Sequence, residues 1–394
     1  MSHSDLASLT LFPATPAQVI ETRKRTWPQW GGALTEEQYL ERDAQMDVME
    51  HATESKMITW VLAPRDKPNT LDFMCSCETY KRQGLIRYPG SKELREAMGY
   101  GIASVFTPPV KRGKGYASHM MRLLHWVISG RTAEYNLPEF PAEWGAPPPE
   151  VKAAGNGLFS TLYSDVGESF YKQAGPGLEK AGGWEARGPT STTWEIPRPA
   201  ETQQKGHSET EWTWLKYGDL DALWAKDVQL IRRTMENVRE SSPTYYTERP
   251  TAFVSYLPDK GVGSLHIFRS VFATESVVSV DIWGVEKNNG NTDQPTYASW
   301  SVDMRPLPPT LIVTRISANE TDFPELLGKI QGFASNSGIE RMEVWNIPEH
   351  LLKVAAETGG QTFERKEHLP AIKWYGKGTT EDIEWAFNEK FCWC

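Results

Sequence analysis

Apolar and polar positions divide the chain into short strands and amphipathic helices. Ser8–Phe12 predicts a first strand. Thr15-Pro-Ala-Gln opens a helix to about Thr26, with proline in its first turn. Thr35-Glu-Glu-Gln opens a second, with Thr35 as cap and Gln38 three residues on. Strands are predicted at Ile58–Ala63 and Leu71–Glu78. A further strand over Ile102–Thr107 is mostly β-branched and aromatic, and Pro108 and Pro109 end it because neither donates to a ladder. Tyr116–Ile128 reads as a helix, Leu158–Ser164 as a strand, and Val166–Gly175 as a short helix with a glycine stop. Trp184–Arg187 and Thr192–Ile196 read as a closing hairpin.

The polar, proline-bearing stretch 198–210 predicts a linker between domains 1–197 and 211–394. Beyond it, Leu220–Met235 reads as an amphipathic helix. Strands are predicted at Thr251–Tyr256, Ser264–Phe272, Val277–Trp283, Thr296–Val302 and Leu311–Ile316. Then come a helix (Phe323–Ser335), a strand (Met342–Trp345), a helix (Glu349–Glu357), and a hairpin of Phe363–Lys366 with Ala371–Tyr375. The halves echo each other: Gly182-Gly-Trp-Glu-Ala-Arg187 and Gly359-Gly-Gln-Thr-Phe-Glu-Arg365 each lead to a tryptophan-bearing strand, at Trp194 and Trp374. Leu137–Pro149 is proline-rich and will not form a helix; it is either a wall near a binding site or a rigid surface connection.

The candidate chemistry lies where the strand over Ile102–Thr107 meets its helix. Between them runs Arg112-Gly-Lys-Gly-Tyr-Ala117, in which Gly113 and Gly115 let the backbone approach a ligand. The helix N-terminus adds partial positive charge, so the segment suits a pyrophosphate. It is not a Walker A loop, because Gly115 follows Lys114, and the third glycine of a dinucleotide fingerprint is missing. Arg112-x-x-Gly115-x-Ala117 resembles the acetyl-CoA loop of the GCN5-related N-acetyltransferases, the GNAT superfamily. Ser164-x-x-Gly167-x-x-Phe170-Tyr171-x-x-x-Gly175 is similar to that superfamily's next motif, with Ser164 for Asn and Gly167 for Ala.

The resemblance implies an α/β fold: an acetyltransferase domain followed by a second, degenerate one. The second half has Ser317-Ala-Asn-Glu-Thr-Asp322 at the corresponding loop, where Glu320 and Asp322 would repel a pyrophosphate. The resemblance also implies acetyl-CoA as co-substrate and no metal. Phe106, Thr107, Arg112, Gly113, Lys114, Gly115, Tyr116, Ala117, Ser164 and Phe170 would contact the cofactor. Tyr171 would be the general acid that protonates the CoA thiolate; a phenol of pKa about 10 stays protonated at neutral pH.

Over the whole chain the sequence resembles the fungal lysine-catabolic acetyltransferases, which implies free L-lysine as acceptor. A lysine ε-amine has a pKa of about 10.4, so the enzyme must remove a proton or favour the neutral amine. Candidate carboxylates are Glu78, Asp165, and one from the C-terminal half, the chain end at Cys394 included, as the paired folds of N-myristoyltransferases suggest. The aromatic tail Trp385–Cys394 is too apolar to lie in water and is expected to dock. Another amine (a polyamine, a xenobiotic or a protein lysine) and a non-catalytic acetyl-CoA-binding scaffold are the rival readings.

Composition narrows this little further. The 394 residues are enough for two domains, and 39% hydrophobic with 24% charged residues fits a globular chain. A net charge of −9 argues against nonspecific nucleic-acid binding. Four cysteines make no disulfide framework, and Cys75 and Cys77 lack zinc spacing, so a reduced, cytoplasmic protein is expected. Neither a signal peptide nor a membrane segment is read, and the 16 tryptophans are assigned to cores.

Overall fold

The computed structural model describes residues 6–91, 93–132, 134–197, 211–238, 250–274, 280–288, 294–304 and 306–394. The expected linker, 198–210, lies outside the described residues. The strands are β1 (Leu9–Pro13), β2 (Met57–Pro64), β3 (Cys75–Arg87), β4 (Leu94–Phe106), β5 (Phe159–Ser164), β6 (Glu185–Ala186), β7 (Thr190–Glu195) and β8 (Trp212–Lys216). They continue as β9 (Ala252–Tyr256), β10 (Ile282–Lys287), β11 (Tyr297–Asp303), β12 (Thr310–Ser317), β13 (Arg341–Trp345), β14 (Gln361–Glu364), β15 (Leu369–Trp374) and β16 (Ile383–Trp385). The helices are α1 (Pro16–Trp30), α2 (Glu36–Asp47), α3 (Tyr116–Ile128), α4 (Ser169–Lys172), α5 (Leu220–Glu236), α6 (Leu265–Thr274), α7 (Phe323–Asn336) and α8 (Glu349–Glu357).

Two sheets organise the molecule. The first has the path β1-β2-β3-β4-β5-β15-β6, with β9 and β16 added beside the far end of β3. The second runs β14-β7-β13-β12-β11-β10-β8. The two paths have the same plan. β4 and β5 pair in parallel, as do β12 and β13, and every other pairing along either path is antiparallel. β15 sits between β5 and β6, and β7 sits between β13 and β14. Each half therefore lends its tryptophan-bearing strand to the other's sheet.

This exchange corrects two expectations. The hairpins expected at residues 184–196 and 363–375 do not form, because β6 and β7, like β14 and β15, belong to different sheets. A strand's own residues signal extended backbone but not its partner, and here the partners are about 150 to 215 residues away in sequence. A third correction concerns Ser264–Phe272, expected as a strand: it lies in helix α6. Its helical period is masked because both sides are apolar. Leu265 packs with Tyr80 and Cys394, while Ile267 and Val271 pack into the second core.

Both halves have a core between sheet and helix. In the first, Met120, Leu123 and Leu124 of α3 pack against Cys75, Cys77, Trp60 and Trp184. In the second, Leu326, Leu327 and Ile330 of α7 pack against Trp194, Trp212, Trp283 and Trp300. At about 25 cal/mol per Å² of apolar surface, such aromatic-rich cores are the main stabilising term. The capping box of α2 forms as read, with Gln38 bonding back to Thr35, and α1 has one too, with Gln18 bonding back to Thr15. The segment 137–149 packs outside α3: Phe140 lies edge-on to Trp126 at 5.0 Å and Trp144 edge-on to His119 at 5.9 Å. None of its residues lines the cleft described below.

A buried ion cluster joins the second core to the tail. Arg315 of β12 holds Asp227 of α5 through two bonds of 2.9 Å and reaches Glu389 at 2.6 Å. Among the described residues no helix is long and apolar enough to cross a membrane.

Candidate active site

The site begins where β4 leaves its partner. β4 and β5 pair from Gly99↔Phe159 to Ile102↔Leu162 and no further, although both strands continue. An extra residue in β4 opposite β3 makes a bulge, with Ser104 at φ 54°. Strand β4 therefore opens toward Phe106, and its backbone groups on the β5 side face a cleft of about 750 Å³. Such an edge can pair with an extended, amide-bearing chain.

Beyond the strand, Arg112 donates to the Thr107 carbonyl at 2.9 Å, which folds the loop back onto β4. Gly113 and Gly115 have φ of 75° and 78°, left-handed values that disfavour any side chain. A Cβ at Gly113 would meet nothing within 4 Å, so the glycine is required by backbone conformation. Gly115 caps the 13-residue α3 with no side-chain hydrogen bond. The loop is exposed, and its glycine geometry at a helix N-terminus fits a pyrophosphate. Thr107 lines the cleft, with its hydroxyl buried.

Of the residues singled out from sequence, Phe106, Thr107, Arg112, Glu78, Asp165, Tyr171 and Cys394 all line this one cleft. Gly113, Lys114, Gly115, Tyr116 and Ala117 lie in the adjoining loop and first turn of α3. Ser164 and Phe170 do not line it. Ser164 donates to the Gly167 carbonyl at 2.6 Å and accepts from Val166, so its hydroxyl shapes the turn before α4. Phe170 packs edge-on against Tyr171 at 4.9 Å. Tyr171 is buried, and burial raises its phenol well above the usual range, so it stays a proton donor.

The three candidate carboxyl positions differ. Glu78 is half-buried on the cleft floor, near the start of β3 and not at a strand end. It accepts from Ser104 at 2.8 Å and from Tyr80 at 3.2 Å. Burial raises its pKa, and Asp43 across the cleft raises it further. Asp165 is exposed and contacts His368 at 2.8 Å. Burial works to raise its pKa, but His368 outweighs that and holds it below the ordinary carboxylate range. Cys394 is buried beside Gly101, and burial pushes its thiol up to about 11.

The remaining walls come from elements far apart in sequence. α1 and α2 contribute Arg23, Tyr39, Asp43 and Asp47. Arg23 pairs with Asp47 at 2.6 Å and Asp43 at 3.7 Å. The opposite wall is α6, with Leu265 and Arg269, and the tail, with Trp393. Arg82 anchors the tail by donating to the carbonyls of Cys392 at 2.7 Å and Trp393 at 3.2 Å, and His266 reaches the Trp393 carbonyl at 2.8 Å. Sequence reasoning passed over Arg269 and Arg82. Arg269 sat in a segment read as a strand, and Arg82 in polar residues past the expected end of its strand.

An opened strand, a glycine loop at a helix N-terminus and an adjoining buried tyrosine define the acetyl-CoA-dependent N-acetyltransferases of the GNAT superfamily. Residues 195–394 match the model of the LYC1 GNAT-like C-terminal domain, and the chain belongs to that LYC1-like family. It is similar to an uncharacterized protein of Saccharomyces cerevisiae, 24% identical over an alignment of 404 residues that covers 92% of each chain. It is also similar to a lysine acetyltransferase of Yarrowia lipolytica, 29% identical over 108 residues, 27% of this chain and 26% of that one. A crystal structure from Enterococcus faecalis, a probable N-acyltransferase, shares the fold with a TM-score of 0.52 at 11% identity, over 93% of this chain and 72% of that one. In the second half, the loop before α7 is closed by acids: Asp322 bonds Lys287 at 2.9 Å and Asn319 at 2.9 Å.

Proposed function

We propose that the enzyme transfers the acetyl group of acetyl-CoA to the ε-amine of free L-lysine, with Glu78 as general base and Tyr171 as general acid. The observation that carries this reading is the single cleft that joins the open edge of β4, Tyr171 and the half-buried Glu78. Acetyl-CoA supplies the acetyl group as a thioester. Phe106, Thr107 and the loop from Arg112 to Ala117 would hold the cofactor.

Only about one lysine side chain in a thousand is neutral near pH 7.4. Glu78 takes the proton that must leave; its raised pKa makes it a stronger base than an ordinary carboxylate. Asp165 is a poorer base, since His368 stabilises its charged form. Tyr171 keeps its proton until the sulfur leaves and can then give it up. Cys394 serves as wall, packed against Tyr80 and Leu265. The α6–tail wall narrows the acceptor end, which favours a small molecule over a protein segment. The likeness to a lysine acetyltransferase supports lysine as that molecule.

The test is a panel of acceptors with acetyl-CoA: L-lysine, L-ornithine, spermidine and a histone-tail peptide, followed by thiol release and mass spectrometry. Selective turnover of L-lysine to its ε-acetyl form is expected. Acetyl-CoA binding without turnover of L-lysine would overturn the reading.

A further inference from the structure

We propose that Arg269 binds the carboxylate of the acceptor, so that the cleft selects amino acids with a distal amine over amines that lack a carboxylate. The inference rests on the acceptor reading above and adds the residue that enforces it.

The basis is the pairing of charges in the cleft. Arg23 pairs with Asp47 and Asp43, Arg42 with Asp43 at 2.6 Å, and Asp165 with His368 at 2.8 Å. Among the described residues, three charged side chains of the cleft have no counter-charge at ion-pair distance: Arg112, Glu78 and Arg269. Arg112 belongs to the cofactor end and is turned back onto Thr107. That leaves one anionic and one cationic side chain at the acceptor end, on different elements. Glu78 stands on β3 in the first sheet, and Arg269 on α6 from the second half.

The surface joining them is apolar. Tyr80, which bonds Glu78, forms one cluster with Leu265, one helical turn before Arg269, and Met46 and Met57 pack against that cluster. An ammonium at Glu78, methylenes along this surface and a carboxylate at Arg269 describe a diamino acid. The Arg269 end is also the positive end. Its guanidinium lies 5.8 Å from the centre of the Trp393 ring, and Lys390 lies 3.4 Å from the same centre on the buried side. Arg365 stacks on the neighbouring Trp345 at 3.7 Å, with its guanidinium nitrogens buried and lacking hydrogen-bond partners. Neither Lys390 nor Arg365 reaches the cleft, so Arg269 is the cation presented to a ligand there. An arginine offers a carboxylate two parallel hydrogen bonds, a geometry that lysine does not reproduce.

The test compares L-lysine with 1,5-diaminopentane, the same molecule without its carboxylate, in steady-state assays of the full chain. The wild type is expected to prefer L-lysine in kcat/KM by about 10- to 100-fold, the value of a charge-assisted hydrogen bond. In Arg269→Gln the KM for L-lysine should rise by a similar factor, with no rise in that for the diamine, and Arg269→Lys should restore part of the loss. Acetyl-CoA affinity, measured by calorimetry, should be the same in all three proteins and reports that the variants are folded. Equal losses on both substrates, no loss on either, or a wild-type preference for the diamine would overturn the inference. A wild type that binds acetyl-CoA yet acetylates neither compound would instead refute the acceptor reading, and this inference with it.

Discussion

The two halves follow the same sheet path around the same kind of helix and differ at the loop before that helix. Before α3 stand Gly113 and Gly115 in left-handed conformations, and the helix cap has no side-chain bond. Before α7 stand Asn319 and Asp322, and Lys287 binds both Asp322 and Glu325 at 2.9 Å. One helix N-terminus is left for a ligand, and the other is neutralised from within the protein. On the proposed reading, loop chemistry and not the fold alone decides which half holds the cofactor. On the proposed reading, the second half has a different task. It lends β15 to the first sheet and supplies α6 and the tail as the acceptor wall.

Chemistry is where the halves should differ most. Glu78→Gln is expected to lower kcat/KM by about 10²- to 10⁴-fold, the usual contribution of a general base, without loss of acetyl-CoA affinity. The sign of the pH effect follows from the raised pKa of Glu78. The base works only when ionised, so activity rises with pH through a limb lying above the ordinary glutamate value of about 4.3. Rate–pH profiles of the wild type should show that limb, and those of Glu78→Gln should lack it.

Next in size is the anchoring of the tail to the second core. Arg315 is buried between Asp227 and Glu389, so Arg315→Met leaves two buried carboxylates without their cation. Loss of one member of such a cluster costs about 3–5 kcal/mol. Urea unfolding should report a destabilisation of that order, and a loss under about 1 kcal/mol would mean the cluster relaxes to solvent.

The loop comparison and the helix caps were legible in the sequence because each is local. A glycine with positive φ, a proline pair ending a strand, or a Thr-x-x-Gln box is decided by residues a few positions apart. The echo between Trp194 and Trp374 was legible too, since corresponding strands share a pattern. Their exchange was not, because strand residues do not name their partners. Helix α6 was hidden by burial on two faces, and with it Arg269. The continuation of β3 through Lys81, Arg82 and Gln83 was hidden because buried Arg82 is satisfied by carbonyls some 310 residues away. Glu78 was singled out but placed at a strand end, while the bulge that turns Ser104 toward it leaves no mark in composition.

The smallest perturbation tests the comparison most directly. Gly115→Val puts a β-branched side chain at φ 78°, a strain of about 1–3 kcal/mol in the cofactor loop. Asp322→Gly opens the corresponding loop of the second half without touching the cleft. Calorimetric titration with acetyl-CoA is expected to give one molecule bound per wild-type chain, affinity weakened about tenfold or more in Gly115→Val, and no change in Asp322→Gly. Two molecules per chain, or full affinity in Gly115→Val with loss in Asp322→Gly, would contradict the division of labour between the halves.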